Sequence, residues 1–148
     1  MSRYASRPRV RLVQVEKIDA VVEGGEVIGD PKDGVAALRR LLAGKDREHF
    51  VALHLNARNR IVSAEVVSIG TLTSSLVHPR EVFKGAILAN ANAIVCGHNH
   101  PSGDVWPSAE DQALEQRLTK AGELLGIPVL DFIIVTEESS WSSKMAIR

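Results

Sequence analysis

The sequence predicts an α/β (mixed α+β) fold, one central mixed sheet flanked by helices. Three observations carry that expectation. The chain has 148 residues, 45% hydrophobic but only 4% aromatic, so its core must be built from Val, Ile, Leu and Ala. β-rich runs alternate along it with segments of helical spacing. Their order is strand, helix, hairpin, helix, strand, helix, strand, which is the order of a sheet covered on its faces. A core of this size is stable without cross-links, and a single globular domain over 31–148 is expected, preceded by a strand and loop over 1–30.

The first element is VRLVQV, Val10 to Val15, whose alternation of apolar and polar residues fits a half-buried strand. The Gly-rich EGGEVIGDP that follows reads as turn and loop. From about Lys32 to Ala43 the period becomes helical: Val35, Leu38, Leu41 and Leu42 share a face, and Gly44 provides the stop. Phe50 to Leu55 and Ile61 to Ile69 are two β-rich runs separated by NARNR, a hairpin.

Pro79 suits a first helical position, and Val82, Phe83, Ala86 and Ile87 continue the helix toward a short buried strand, Ala93 to Cys96. The loop NHPSGDVWP contains two prolines and a glycine and can continue neither element. Ser108 opens a long helix with Ala113, Leu114, Leu118, Ala121, Leu124 and Leu125 as its apolar stripe and Gly126 as its end. IPVLDFIIVT is a strand, and SSWSSKMAIR is an edge strand or a loose tail.

Composition also narrows the partners. Eighteen basic residues balance eighteen acidic ones, so no net field draws in nucleic acid or an anionic membrane. Arg3, Arg7, Arg9 and Arg11 form a local basic start, read as a solvated arm. Cys96 is the single cysteine, which excludes an intramolecular disulfide and a multi-cysteine zinc cluster. With no signal-peptide pattern and no long apolar run, a cytoplasmic protein without a membrane partner is expected.

The chemistry gathers in HNHPSGDVWPSAED. His98 and His100 stand two apart on an extended chain, so both project to one face with Cα atoms roughly 6.5 Å apart. Asp111 returns at the first turn of the next helix, where a carboxylate is favoured. Two imidazoles and a carboxylate leave a fourth tetrahedral position open, the arrangement of a catalytic zinc site. A reading without metal has the two histidines at the surface and Ser108 with Asp111 as a helix capping box. The two readings are compatible, because one carboxylate has oxygens for both.

H-x-H-x(7)-S-x(2)-D, here His98, His100, Ser108 and Asp111, resembles the zinc-site signature of the JAMM (MPN+) metalloprotease superfamily. VHPREVFKGAI, HNHPSGD, PSAED and the run AGELLGIPVLD are similar to the C-terminal domain of bacterial RadC-type proteins, from about Asp33 to Thr136. That resemblance implies a JAB/MPN-like, cytidine-deaminase-like sheet. It also implies a bound Zn2+ on His98, His100 and Asp111, and a glutamate before an early strand as general base. Glu48, immediately ahead of the apolar strand HFVALHL, is the position that matches, with Glu65 in AEVVS as its rival. Glu48 would then pass the proton of a water, and Ser108 would donate a hydrogen bond to the developing oxyanion.

The implied activity is hydrolysis of an amide or isopeptide bond in a peptide or protein substrate. The alternative is a DNA-repair-associated or mobile-element accessory protein whose metal is structural, binding nucleic acid or a protein partner; the charge balance gives nucleic acid little support. Two departures from the RadC pattern stand out. The helix-hairpin-helix region usual ahead of this domain has no room before Asp33, and Phe132 occupies a position where a histidine commonly follows the LD of the last strand. A zinc nucleobase deaminase is excluded by the lack of a second cysteine. Cys96, His78, Asp104 and Trp106 are assigned lesser roles, His49 and His54 are read as ordinary surface or half-buried residues, and edge strands leave a homodimer open.

Overall fold

The computed structural model describes residues 26–70 and 77–146. The expected strand Val10 to Val15 and the basic start lie outside the described residues. Within them run α1 (Pro31–Leu42), β1 (His49–Leu55), β2 (Ile61–Ile69), α2 (Pro79–Leu88), β3 (Ala93–Asn99), α3 (Ala109–Leu125), β4 (Val129–Val135), β5 (Ser140–Ser142) and α4 (Ser143–Ala146). The five strands form one mixed sheet in the order β2-β1-β3-β4-β5. β3 and β4 are parallel, joined by α3 as crossover; the other neighbouring pairs are antiparallel.

Alternation along the strands sends side chains to two cores. Val51, Leu53, Leu55, Val95, Ile133 and Val135 meet Leu38 and Leu42 of α1 on one face. Phe50, Ala52, Ile94, Cys96, Phe132 and Ile134 meet α2 and α3 on the other, through Phe83, Ala86, Leu114 and Leu118. Each such aliphatic or aromatic side chain contributes about 1.5–3 kcal/mol on burial. β3 lies between two strands and two helical layers and is buried along its whole length. At Gly97 a Cβ would run into Leu38 Cδ1 and come within 3.0 Å of the Ile133 carbonyl, so the missing side chain is what lets α1 close on the sheet.

The helix ends follow from their caps. Asp30 and Asp33 form a reciprocal capping box at α1, and His78 Nδ1 accepts from Arg80 N at the start of α2. Ser108 and Asp111 do the same at α3, which closes on Gly126 at φ 72°. The tail is ordered by one buried carboxylate: Asp131 accepts from Ser142 Oγ (2.7 Å) and from Lys144 N (3.1 Å).

Several expectations need correction. β3 continues past Cys96 to Asn99, because β1 and β4 pair with it on both sides. The buried side of α3 is Asp111, Leu114, Leu118 and Gly122, whereas Leu124 is 88% exposed and Ile87 of α2 is 52% exposed. His54, expected at the surface or half-buried, is 1% exposed, since it shares the inward face with Phe50 and Ala52.

Candidate metal centre

Three chain segments converge at the end of the sheet where β3 finishes and β1 begins. β3 carries His98 and delivers His100 just beyond its last residue, so the two rings lie on the same side with centroids 4.8 Å apart. α3 starts over them, and its capping box turns Asp111 inward: Ser108 Oγ accepts from Asp111 N (3.0 Å) while Asp111 Oδ2 accepts from Ser108 N (2.9 Å). The loop before β1 brings in Glu48.

The carboxylate of Asp111 divides between the two imidazoles. His98 Nε2 lies 3.1 Å from Oδ1 and His100 Nε2 lies 3.2 Å from Oδ2. Glu48, His98 and His100 each offer a ligand atom, and these atoms fall within 4.8 Å of one another, a group that could hold a metal ion. Tetrahedral zinc with bonds of about 2.0–2.1 Å would set its donor atoms roughly 3.4 Å apart, close to the His–Asp separations. A further observation fits a cation. His98 is fully buried, yet neither ring nitrogen has a hydrogen-bond partner among the described residues; the 3.1 Å approach to Asp111 is close but out of line. A buried, unbonded imidazole nitrogen facing a carboxylate costs free energy unless something positive lies between them.

His100 is oriented from behind. Its Nδ1 donates to the Asp104 carbonyl at 2.6 Å, which leaves the Nε2 lone pair toward Asp111. The facing Asp111 carboxylate raises the His100 pKa against the opposing effect of burial, and the Asp104 carbonyl and the Glu48 charge add to it. Burial pushes the Asp111 carboxyl up, but the imidazoles of His100 and His98 outweigh it and hold the group well below the usual carboxylate range. Both shifts express one preference, a carboxylate anion facing positive charge, which a proton on His100 or a cation between the groups supplies.

Glu65, the rival base, is carried elsewhere. Its carboxylate packs on α2 at Gly85, with Oε2 3.9 Å from His54 Nε2. Asp104 is turn chemistry, its Oδ1 accepting from Trp106 N. Cys96 is a core residue whose thiol is pushed up by burial, with the Glu115 charge adding. Phe132 lies edge-on to His98 at 5.6 Å and, with Phe50, walls off the apolar side of that ring. Sequence reasoning missed Asn99, between the two histidines.

Two cavities reach the edge of this group, at His100 and at Glu48. One of about 810 Å³ is bounded by His100, Pro101, Arg39, Lys45, Thr136 and Glu138; another of about 340 Å³ is bounded by Glu48, Arg47, Gly70 and Ser102. Asp46 and Pro101 line both, with His100 on the larger and Glu48 on the smaller.

The model of the RadC-like JAB domain matches residues 28–146 of this chain. The chain belongs to the RadC-like JAB family. Relatives of this JAB domain include a UPF0758 protein of Rubrobacter xylanophilus, 53% identical over 77% of this chain and 50% of its own length. A UPF0758 protein of Desulforamulus reducens is 49% identical over 80% of this chain and 52% of its own. UPF0758 protein YsxA of Bacillus subtilis is 39% identical over 97% and 67%. The chain thus spans about half the length of the first two relatives and two thirds of the third. No described helix is long and apolar enough to cross a membrane.

Proposed function

We propose that this JAB domain is a zinc-dependent hydrolase, a JAMM-type metallopeptidase that cleaves an amide or isopeptide bond with water as nucleophile. The observation that carries the reading is the shared carboxylate: Asp111 faces His98 Nε2 at 3.1 Å and His100 Nε2 at 3.2 Å, with Glu48 turned to the same space. Zinc held by His98, His100 and Asp111 would polarise the scissile carbonyl and lower the pKa of a water to about 7.

The protein's own groups supply the remainder. Glu48, half-buried beside the smaller cavity, takes a proton from the attacking water and returns it to the leaving nitrogen as the C–N bond breaks. Asp104 keeps His100 in one tautomer. Ser108 uses its oxygen lone pair as the cap of α3, so its hydroxyl proton is free to serve the carbonyl oxygen. The cavities at His100 and Glu48 give a polypeptide room beside the centre.

The first test is metal analysis after reconstitution with zinc, followed by assays on peptide, isopeptide and DNA substrates. One equivalent of zinc and amide cleavage are expected in the wild type. Glu48→Gln is expected to keep the zinc and lose at least about 10²-fold in kcat, the usual worth of a general base. A protein that takes up no zinc sinks the reading, and cleavage of DNA alone redirects it to a nuclease.

A further inference from the structure

The backbone around Glu48 is held from an unexpected place. Asn99 follows the last β3 residue that pairs with β1, since the ladder runs to Phe50 opposite His98 and stops there. The next rung would set His49 opposite Asn99. In its place stands the Asn99 side chain: His49 N donates to Asn99 Oδ1 at 2.7 Å, and Asn99 Nδ2 donates to the Arg47 carbonyl at 2.9 Å and, at longer range, to the Lys45 carbonyl at 3.5 Å. The partners fix the orientation of the amide, because only the oxygen can accept from an N–H and only the nitrogen can donate to carbonyls. An asparagine amide is a peptide group on a short stem, and here it replaces a missing rung of the sheet.

The residue between the two clamped groups is Glu48. Its preceding carbonyl and following N–H are both taken by Asn99, and its own carbonyl accepts from Gly70 N at 2.8 Å. His49 Nδ1 adds a bond to the Arg47 carbonyl at 2.8 Å. The Glu48 side chain therefore leaves from a backbone held on both sides. Asn99 is 6% exposed and sits between His98 and His100, so the strand that presents the histidines also sets the glutamate.

We propose that Asn99 is the positioning residue of this centre, fixing Glu48 relative to His98 and His100 by standing in for a β1–β3 rung. Its catalytic consequence rests on the hydrolase reading above; its structural core does not. Asn is the residue type required: Asp accepts but cannot donate, Ala does neither, and Gln sets the amide one methylene too far.

The test uses the zinc-loaded 148-residue chain in four forms, wild type, Asn99→Ala, Glu48→Gln and the double variant. Asn99→Ala is expected to bind zinc within about threefold of wild type, since the ligands are untouched. Its kcat should fall about 10²-fold with KM unchanged, the scale of a small misplacement of a reacting group. Added to Glu48→Gln it should cost nothing further, because both act through one carboxylate. Amide exchange at His49, followed by NMR, should quicken at least tenfold in Asn99→Ala, with Asn99→Asp between it and wild type. Full additivity in the double variant overturns the proposal, as does a tenfold loss of zinc affinity or unchanged His49 exchange. If the wild type cleaves no substrate, the hydrolase reading fails, and His49 exchange alone decides whether the clamp exists. Should Asn99→Ala not fold, Asn99→Asp carries the same comparisons.

Discussion

At the scale of single residues, the inward face of β1 joins two kinds of chemistry. Phe50 and Ala52 are plain core, but His54 brings an imidazole to the same face, with Nδ1 2.6 Å from Ser63 Oγ and Nε2 left without a hydrogen bond. Burial lowers its pKa to about 4 from 6.5. The folded value is thus depressed, and stability is lost as pH falls from 6.5 toward 4, where the unfolded chain takes up a proton that the fold refuses. That is worth about 2–3 kcal/mol by pH 4.5. Glu65, raised by burial, has the opposite sign and binds its proton longer in the fold. Urea melts at pH 7 and 4.5 should show the loss in wild type and a clearly smaller one in His54→Phe. Equal losses would mean that His54 is not the group responsible. The burial of His54 is legible from alternation, since it is two residues beyond Ala52.

Elements were read well wherever a cap or a turn residue marked them. Gly44, Gly126, Pro79 and Ser108 each fall at a helix end. What a linear pattern could not supply was the depth of packing. The apolar run ends at Cys96 because Gly97, His98 and Asn99 break it, yet pairing on both sides extends β3 to Asn99 and makes it the scaffold of the centre. Similarly, Leu124 fits the helical stripe but points away from the sheet, while Gly122 is the buried residue. A Cβ at Gly122 would sit 2.5 Å from the Ile127 carbonyl and 3.3 Å from Phe83 Cζ. Alanine favours a helix over glycine by about 1 kcal/mol, but the first obstacle here is backbone, which cannot rotate aside. Gly122→Ala should therefore destabilise by about 1–3 kcal/mol in chemical denaturation. A gain in stability would show that the α3–β4 connection yields more readily than this packing implies.

For the whole molecule, the candidate ligands matter because of where they come from. Asp111 belongs to α3 and His98 and His100 to β3 and its end, with Glu48 on the loop that enters β1, so a cation held by His98, His100 and Asp111 would tie a helix to the centre of the sheet. The motif makes the histidines and the aspartate legible, Glu48 is reached only through resemblance, and no linear pattern marks Asn99, whose partners lie about fifty residues away. A tie of this kind makes metal affinity part of global stability, because the unfolded chain separates the ligands. Zinc at 100 times its dissociation constant adds about 2.7 kcal/mol, which for a domain of this size is a rise in Tm of roughly 5–10 °C. Thermal melts should show that rise on adding zinc and its reversal by a chelator. Asp111→Asn should abolish the response, since it removes the charge both imidazoles face. Glu48→Gln should keep most of it, because that residue is assigned to the reaction and not to holding the ion. A Glu48→Gln protein that loses the zinc response as completely as Asp111→Asn would move Glu48 from base to ligand and leave the centre a binder.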